Sequence, residues 1–175
     1  MRYVELRRHT DNEGDRLMPQ GAADAEMIGR DGLHPPCAAS VSAGAARATQ
    51  MLEILRHAAG QDDTPITAAT GLRSSVEYRW RDAAKAAGKR ADLKDIRATG
   101  PDLVERESWL LGPLRQVVAG LPEGGRALVV GHTPTPRPLC SGSPAWLSRH
   151  WARAKGFCWS RTTGTTGWSR WTKCR

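Results

Sequence analysis

The apolar run Ala-Leu-Val-Val at residues 127–130, followed at once by Gly131 and His132, is the most informative stretch for the fold. Four consecutive apolar residues without alternation are typical of a strand that is buried on both faces. Such strands occur in the parallel sheets of α/β proteins, in which helices cover both sides of the sheet. The run therefore predicts an α/β chain with a mostly parallel central sheet.

The rest of the first 136 residues alternates between strand-like and helix-like patterns. Strands are predicted at residues 2–6, 38–42 and 66–68. Helices are predicted at residues 19–32, 44–57 and 75–97, the last with a break at Gly88. A further helix is predicted from Pro101, and Gly112-Pro113 is expected to kink or split it. This alternation predicts a three-layer sandwich in which helices flank the sheet.

The net charge of +8 is distributed very unevenly along the 175 residues. Residues 1–136 hold 18 basic and 18 acidic residues, whereas residues 137–175 hold eight basic residues and no acidic one. The same C-terminal segment holds five of the seven tryptophans and three of the four cysteines. We therefore predict one domain over residues 1–136 and an atypical basic tail over residues 137–175.

The tail shows no helical or strand periodicity, which predicts a disordered segment and incomplete C-terminal elements of the fold. Its composition, rich in Trp, Arg and Cys and free of acids, is what a GC-rich gene yields when it is translated out of frame. We hypothesise a shifted reading frame in this segment, which sequencing of the gene through codons 130–175 would test.

Polar residues follow three of the predicted strands directly. Arg8 and His9 come after the first strand, Arg47 comes shortly after the second, and His132 ends the apolar run. Because ligand sites in parallel sheets form beyond the carboxyl ends of the strands, we expect these side chains on one rim. A neutral imidazole can attack phosphorus, and arginine can bind two phosphoryl oxygens at once. The combination favours phosphoryl transfer.

Four segments in this order resemble the histidine phosphatase (phosphoglycerate-mutase-like) superfamily. They are VELRRHT at residues 4–10, RLMPQGAADAEMIG at 16–29, ASVSAGAARATQML at 39–52 and ALVVGHTPT at 127–135. The family has Arg-His-Gly after its first strand, a Leu-Thr-x-x-Gly helix entry, Arg-Ala after a second strand and Gly-His after a later apolar strand. The short chain resembles the small SixA-like members more than the mutases.

The resemblance implies a role for each matching residue. His9 would be the nucleophile that carries a phosphohistidine, Arg8 and Arg47 would bind the phosphoryl group, and His132 would complete the pocket. Thr10 stands where the family has Gly, and its hydroxyl could still donate a hydrogen bond to phosphate.

The comparison with the family also bears on the general acid, on the helix entry and on cofactors. Family members often take an acidic general acid from the middle of the chain, for which Glu77 is the first candidate and Glu105 the second. Met18 replaces the usual Thr of the helix entry. No metal and no cofactor are expected.

The predicted function is hydrolysis of a phosphomonoester, or of phosphohistidine in a phosphoprotein, through His9. Its partner would be a small phosphorylated substrate or a phosphoprotein. The alternatives are a phospho-ligand-binding relative with impaired catalysis and, ranked last, a nucleic-acid binder that uses the basic tail. We expect a cytoplasmic protein, since the chain has no long apolar segment and no export signal.

Several remaining residues are expected to have ordinary roles. His34, His57 and His150 are interpreted as structural or solvated, and Arg7 as solvated or as a helper of the site. Trp80 and Trp109 are predicted to be core or lid residues.

Overall fold

The computed structural model describes residues 2–33, 37–88, 93–108, 110–131, 157–161 and 171–173. The strands are β1 (Arg2–Arg8), β2 (Asn12–Glu13), β3 (Arg16–Leu17), β4 (Ala39–Ser42), β5 (Ile66–Ala68), β6 (Arg126–Gly131), β7 (Phe157–Arg161) and β8 (Trp171–Lys173). The helices are α1 (Pro19–Gly32), α2 (Ala46–Ala58), α3 (Glu77–Ala87), α4 (Leu93–Thr99), α5 (Pro101–Ser108) and α6 (Leu111–Gly120), with a 3-10 turn at Thr70–Leu72.

Six strands form one sheet in the order β5-β4-β6-β1-β7-β8, and β2 with β3 forms a separate hairpin. The pairs β5–β4, β4–β6 and β6–β1 are parallel, and the pairs made by β7 are antiparallel. The α/β fold class predicted from the sequence, with a mostly parallel sheet flanked by helices, is confirmed.

Strand β6 lies in the middle of the parallel part of the sheet and is buried on both faces. Ala127 and Val129 pack with α6 and the 3-10 turn in one hydrophobic cluster. Leu128 and Val130 pack with α1 and α2 in a second cluster on the opposite face. The two clusters lie between the sheet and the helices on either side of it, which gives the three layers. They confirm that the uninterrupted apolar run is a strand buried on both faces.

The helices of the middle segment are interrupted at both predicted places, the second shifted by a few residues. The predicted interruption at Gly88 is confirmed, because α3 ends at Ala87. The predicted break at Gly112-Pro113 is found a few residues earlier, because α5 ends at Ser108 and α6 begins at Leu111, which places Gly112-Pro113 in the first turn of α6. A proline is tolerated there because the first backbone N–H groups of a helix have no intrahelical partner. None of the helices in the described ranges is long and apolar enough to cross a membrane.

A small separate core joins α3, α4 and α5. Its buried members are Val76, Trp80, Ile96 and Leu103, of which Trp80 is the largest. Trp80 is therefore a core residue, one of the two roles predicted for it, whereas Trp109 lies outside the described residues.

Two segments of the C-terminal tail contribute strands, where the sequence pattern predicts no regular structure. Strand β7 pairs with β1 from Leu6 back to Arg2, and β8 pairs with β7. Without β7, this edge of β1 would expose unpaired backbone N–H and C=O groups. The aromatic and Thr residues of the two segments also favour extended backbone. The domain boundary after residue 136 and the shifted reading frame stay predictions, because most of residues 132–175 lie outside the described ranges.

A buried ionic cluster occupies one face of β1. Glu5 is fully buried and contacts the guanidinium of Arg7, and its second oxygen accepts a hydrogen bond of 2.8 Å from Nη2 of Arg126. The interpretation of Arg7 as solvated is wrong, since only 5% of this residue is exposed. The alternation of side chains along β1 turns Glu5 and Arg7 to one face, and Val4 and Leu6 to the hydrophobic cluster on the other.

We expect the substitution Glu5→Gln to lower the free energy of unfolding by about 3 kcal/mol, since it removes a buried negative charge that contacts two largely buried guanidiniums. Urea denaturation followed by circular dichroism measures this change. The control is Glu26→Gln, which breaks an exposed pair with Arg30 on α1 and should cost at most about 0.5 kcal/mol. Equal losses in the two variants would contradict the structural role of the cluster.

Candidate active site

The carboxyl ends of β1, β4 and β6 lie side by side and bring the predicted site segments together. The backbone N–H of His9 donates to the carbonyl of Gly131 at 3.0 Å, and that of Ala43 donates to the carbonyl of Val130 at 2.9 Å. The segments that follow β1 and β4 are therefore both joined to the end of β6, as the sequence predicts for strand ends that share one edge.

The imidazole of His9 is buried and held in a single tautomer. Its Nδ1 lies 2.8 Å from the carbonyl oxygen of Thr10, and its Nε2 lies 3.0 Å from Nε of Arg47. A carbonyl can only accept and a guanidinium can only donate, so Nδ1 carries the proton and Nε2 carries the lone pair. The nitrogen with the lone pair is thus the one that faces the arginine.

Thr10 fixes this segment to the start of α1. Its hydroxyl donates to the carbonyl of Gly21 at 2.7 Å, and a Cβ at Gly21 would lie 2.1 Å from the carbonyl oxygen of Asp11. Only glycine allows the helix to approach so closely. The predicted contact of Thr10 with phosphate stays a prediction, and it would require the hydroxyl to turn away from Gly21.

Arg47 lies in the first turn of α2 and is nearly buried, with 11% of its side chain exposed. Its Nε donates to His9, its Nη1 donates to Asp15 Oδ1 at 3.1 Å, and its Nη2 donates to both carboxylate oxygens of Glu77 at 2.9 Å. Every nitrogen of the guanidinium therefore donates a hydrogen bond to another side chain. The two carboxylates balance its charge where it would otherwise be costly to bury.

Hydroxyl groups brace the start of α2 against β4. Ser42 Oγ lies 2.7 Å from Oγ1 of Thr49 and accepts a hydrogen bond of 3.1 Å from the backbone N–H of Gly44. Gly44 has a φ of +83°, a left-handed conformation that favours glycine. This turn sets the direction in which α2 leaves the sheet, and with it the position of Arg47.

Asp15 is a site residue that the sequence analysis missed. It lies in the turn of the β2–β3 hairpin, and its Oδ2 accepts a hydrogen bond of 3.1 Å from the backbone N–H of Ala46. Partial burial acts to raise the pKa of Asp15, but hydrogen bonds from the backbone N–H groups of Ala46 and Arg47 and the charge of Arg47 outweigh it. The pKa of this carboxyl is held below its ordinary value. Nothing in its local sequence points to a partner 32 residues away.

The structure separates the two candidate general acids. Glu77 contacts Arg47 and is half-buried, whereas Glu105 is exposed on α5. Arg8 ends β1 beside His9 and is half-buried, and its contact with phosphate stays a prediction. His132 lies outside the described residues, directly after the Gly131 that pairs with His9.

No protein-family model matches the chain, and no curated protein matches it in sequence. Solved structures do match. A phosphoglycerate mutase from Bacillus anthracis matches with a TM-score of 0.65 at 15% identity, over 90% of this chain and 87% of that one. The SixA protein of Agrobacterium tumefaciens, named for a phosphohistidine phosphatase, gives a TM-score of 0.56 at 17% identity, over 99% of this chain and 94% of that one.

A mycobacterial glucosyl-3-phosphoglycerate phosphatase, solved with inorganic phosphate, matches with a TM-score of 0.59 at 16% identity. The match covers 91% of this chain and 90% of that one. These similarities show that the chain has the fold of the phosphoglycerate-mutase-like phosphatases, as the four sequence motifs predicted.

We expect the imidazole of His9 to be the Nδ1–H tautomer at neutral pH, because the Thr10 carbonyl selects it. Long-range nitrogen–proton correlation spectra of the nitrogen-15-labelled protein distinguish the two ring nitrogens. The ring of His57, which is exposed and contacts Asp62 Oδ2 through Nδ1 at 3.1 Å, provides in the same sample the comparison with a surface histidine. A proton on Nε2 of His9 would contradict the geometry.

Proposed function

We propose that this chain, which has the fold of the histidine phosphatases, hydrolyses a phosphomonoester or a phosphorylated histidine through a phosphohistidine formed on His9. The observation that carries the proposal is the buried imidazole whose Nδ1–H is held by the Thr10 carbonyl while Nε2 lies 3.0 Å from Arg47 Nε. That arrangement presents a nucleophilic lone pair beside a cation that can bind the oxygens of phosphorus.

In the first step, a phosphoryl oxygen replaces His9 as the acceptor of Arg47 Nε, the freed lone pair of His9 Nε2 attacks phosphorus, and the bond from phosphorus to the ester oxygen breaks. The imidazole becomes positively charged, and the hydrogen bond from Nδ1 to the Thr10 carbonyl stabilises that charge. The leaving oxygen takes a proton from Glu77, whose carboxyl accepts a hydrogen bond from the same Arg47 guanidinium that contacts His9. A phosphoryl group that replaces Glu77 on Nη2 of Arg47 would let the carboxyl turn toward the leaving oxygen.

In the second step, water attacks the phosphohistidine from the side that the leaving group has vacated. The Glu77 carboxylate accepts the proton of that water, the bond from phosphorus to nitrogen breaks, and inorganic phosphate is released. His9 recovers its lone pair, and Glu77 recovers its proton for the next cycle. The step needs water alone, so the mechanism as proposed includes no metal and no cofactor.

Arg8 and His132 complete the proposed phosphate site. Arg8 follows the strand that carries the nucleophile, and His132 follows Gly131, whose carbonyl accepts the backbone N–H of His9. Both residues match the family motifs, and a second cation and a second imidazole would stabilise charge on the transferring phosphoryl group.

The substrate class rests on the relatives in fold and on the size of the chain. A SixA protein named for a phosphohistidine phosphatase and a glucosyl-3-phosphoglycerate phosphatase are among the proteins with this fold. We propose a phosphorylated small molecule or a phosphoprotein as the substrate, and a cytoplasmic location.

A second candidate function is the binding of a phosphorylated ligand without turnover. The observation that favours it is that all three guanidinium nitrogens of Arg47 donate hydrogen bonds, to His9, Asp15 and Glu77. A ligand must displace at least one of these contacts. Phosphate binding without any trapped phosphoenzyme would favour this function over hydrolysis.

We expect His9→Ala to lower the turnover of an aryl phosphate by at least about a thousandfold, since the nucleophile is removed. Incubation with a labelled phosphodonor should place acid-labile phosphate on His9 of the unsubstituted chain and none on the variant. His57→Ala, which removes an exposed histidine of α2, is the matched control and should keep its activity. Full activity of the His9 variant would reject the proposal.

We expect Glu77→Gln to lower kcat/KM for phenyl phosphate by about a hundredfold, because the poor leaving group needs a proton. The same variant should lose much less with 2,4-dinitrophenyl phosphate, whose leaving group departs without help. The ratio kcat/KM reports only the steps up to the release of the first product, so the second step does not obscure the comparison. Glu105→Gln is the control, and equal losses with both esters would exclude Glu77 as the general acid.

A further inference from the structure

We propose that Asp15 is a positioning residue, which holds the Arg47 guanidinium so that one edge of it faces the nucleophilic nitrogen of His9. The inference rests on the proposed function, since it concerns the binding of the phosphoryl group at that edge. Asp15 matches none of the four sequence motifs, and its assignment comes from the contacts of the β2–β3 hairpin alone.

The nitrogens of Arg47 divide the work between its two carboxylate partners. In a guanidinium, the N–H bonds of Nε and Nη2 point in the same direction and form the edge that binds two oxygens together. That edge faces His9 and Glu77, whereas Asp15 takes Nη1, which lies outside it. Asp15 can therefore keep its hydrogen bond while a phosphoryl group occupies the edge, and the contacts that have to yield are those of Nε with His9 and of Nη2 with Glu77.

Asp15 is itself fixed to the helix that carries Arg47. One carboxylate oxygen accepts from the backbone N–H of Ala46 and the other accepts from the side chain of Arg47, so a single carboxylate joins the two neighbouring residues. The side chain of Arg47 is thereby tied to the first turn of its own helix. This limits its rotation and lowers the entropy that binding would otherwise cost.

The hairpin that supplies Asp15 is pinned at a second point on α2. The backbone N–H of Leu17 donates to Oε1 of Gln50 at 3.1 Å, and Gly14 takes the turn with a φ of +56°. The hairpin therefore bridges the segment after His9 and the first turns of α2. The hydrogen bonds that Asp15 and Leu17 make to α2 hold the segment after His9 and the Arg47 side chain at a constant separation.

The exposure of the two carboxylates supports different roles for them. The Asp15 side chain is 51% exposed, whereas that of Glu77 is 29% exposed. Water screens the charge of an exposed carboxylate, so Asp15 orients Arg47 more than it neutralises it. A carboxylate that mainly neutralised Arg47 would compete with phosphate for it, and its removal would tighten phosphate binding.

The test measures binding of inorganic phosphate by calorimetry together with kcat and KM for an aryl phosphate. We expect Asp15→Ala to weaken phosphate binding about tenfold, the effect of losing one charge-assisted hydrogen bond network. Asp15→Asn keeps an acceptor oxygen and should recover about a third of that loss. Glu13→Ala removes the same charge from the same hairpin at an exposed position and should change binding by less than about twofold.

A double-mutant cycle separates positioning from a general effect on the fold. In the Arg47→Ala background, Asp15→Ala should change phosphate binding by less than about twofold, because its target is gone. A residue that merely stabilises the fold would produce the same loss in both backgrounds. If Asp15→Ala does not fold, Asp15→Asn carries the same cycle with its smaller expected loss.

The outcomes also distinguish this inference from the proposed function. Phosphate binding that is unchanged or tighter in Asp15→Ala, or a loss that persists in the Arg47→Ala background, would overturn the inference and leave the phosphatase function intact. Normal phosphate binding without hydrolysis by the unsubstituted chain would overturn the proposed function alone. A chain that binds no phosphate would overturn both.

Discussion

The hydrogen bond from Arg47 Nε to the lone pair of His9 Nε2 is the contact on which the rest of the site depends. It places a cation against the ring nitrogen, which is stable only if the imidazole is neutral and its proton lies on Nδ1. The Thr10 carbonyl enforces that tautomer, and the carboxylates of Asp15 and Glu77 balance the guanidinium. Each surrounding contact therefore serves the pairing of one arginine with one histidine.

The parallel sheet makes that contact possible by aligning residues from distant parts of the chain. His9 and Arg47 are 38 residues apart, yet each follows a strand that pairs with β6. The apolar residues of β6 bury both faces of the sheet and keep the register in which Arg8 lies opposite Gly131. A shift of one residue would turn His9 to the other face of the sheet.

The sequence predicted the elements well where periodicity or a turn residue marks them. Strand β5 and helix α1 have the predicted bounds, and the other predicted strands agree to within about two residues. The predicted break at Gly112-Pro113 lies a few residues too late, since α5 ends at Ser108 and the proline falls in the first turn of α6, a position that sequence alone does not distinguish from a helix interior. The burial of Arg7 was missed because the buried cluster around its partner Glu5 also takes in Arg126, more than a hundred residues away in the chain.

The sequence by itself determined the α/β class, the order of the motifs and the candidates His9 and Arg47, because these depend on local periodicity and on residue type. The tertiary structure decided the tautomer of His9, the choice of Glu77 over Glu105 as the carboxylate on Arg47, and the part played by Asp15. These depend on distances between side chains from separate elements. Local sequence carries no record of such distances, which arise only when the sheet and the hairpin bring the elements together.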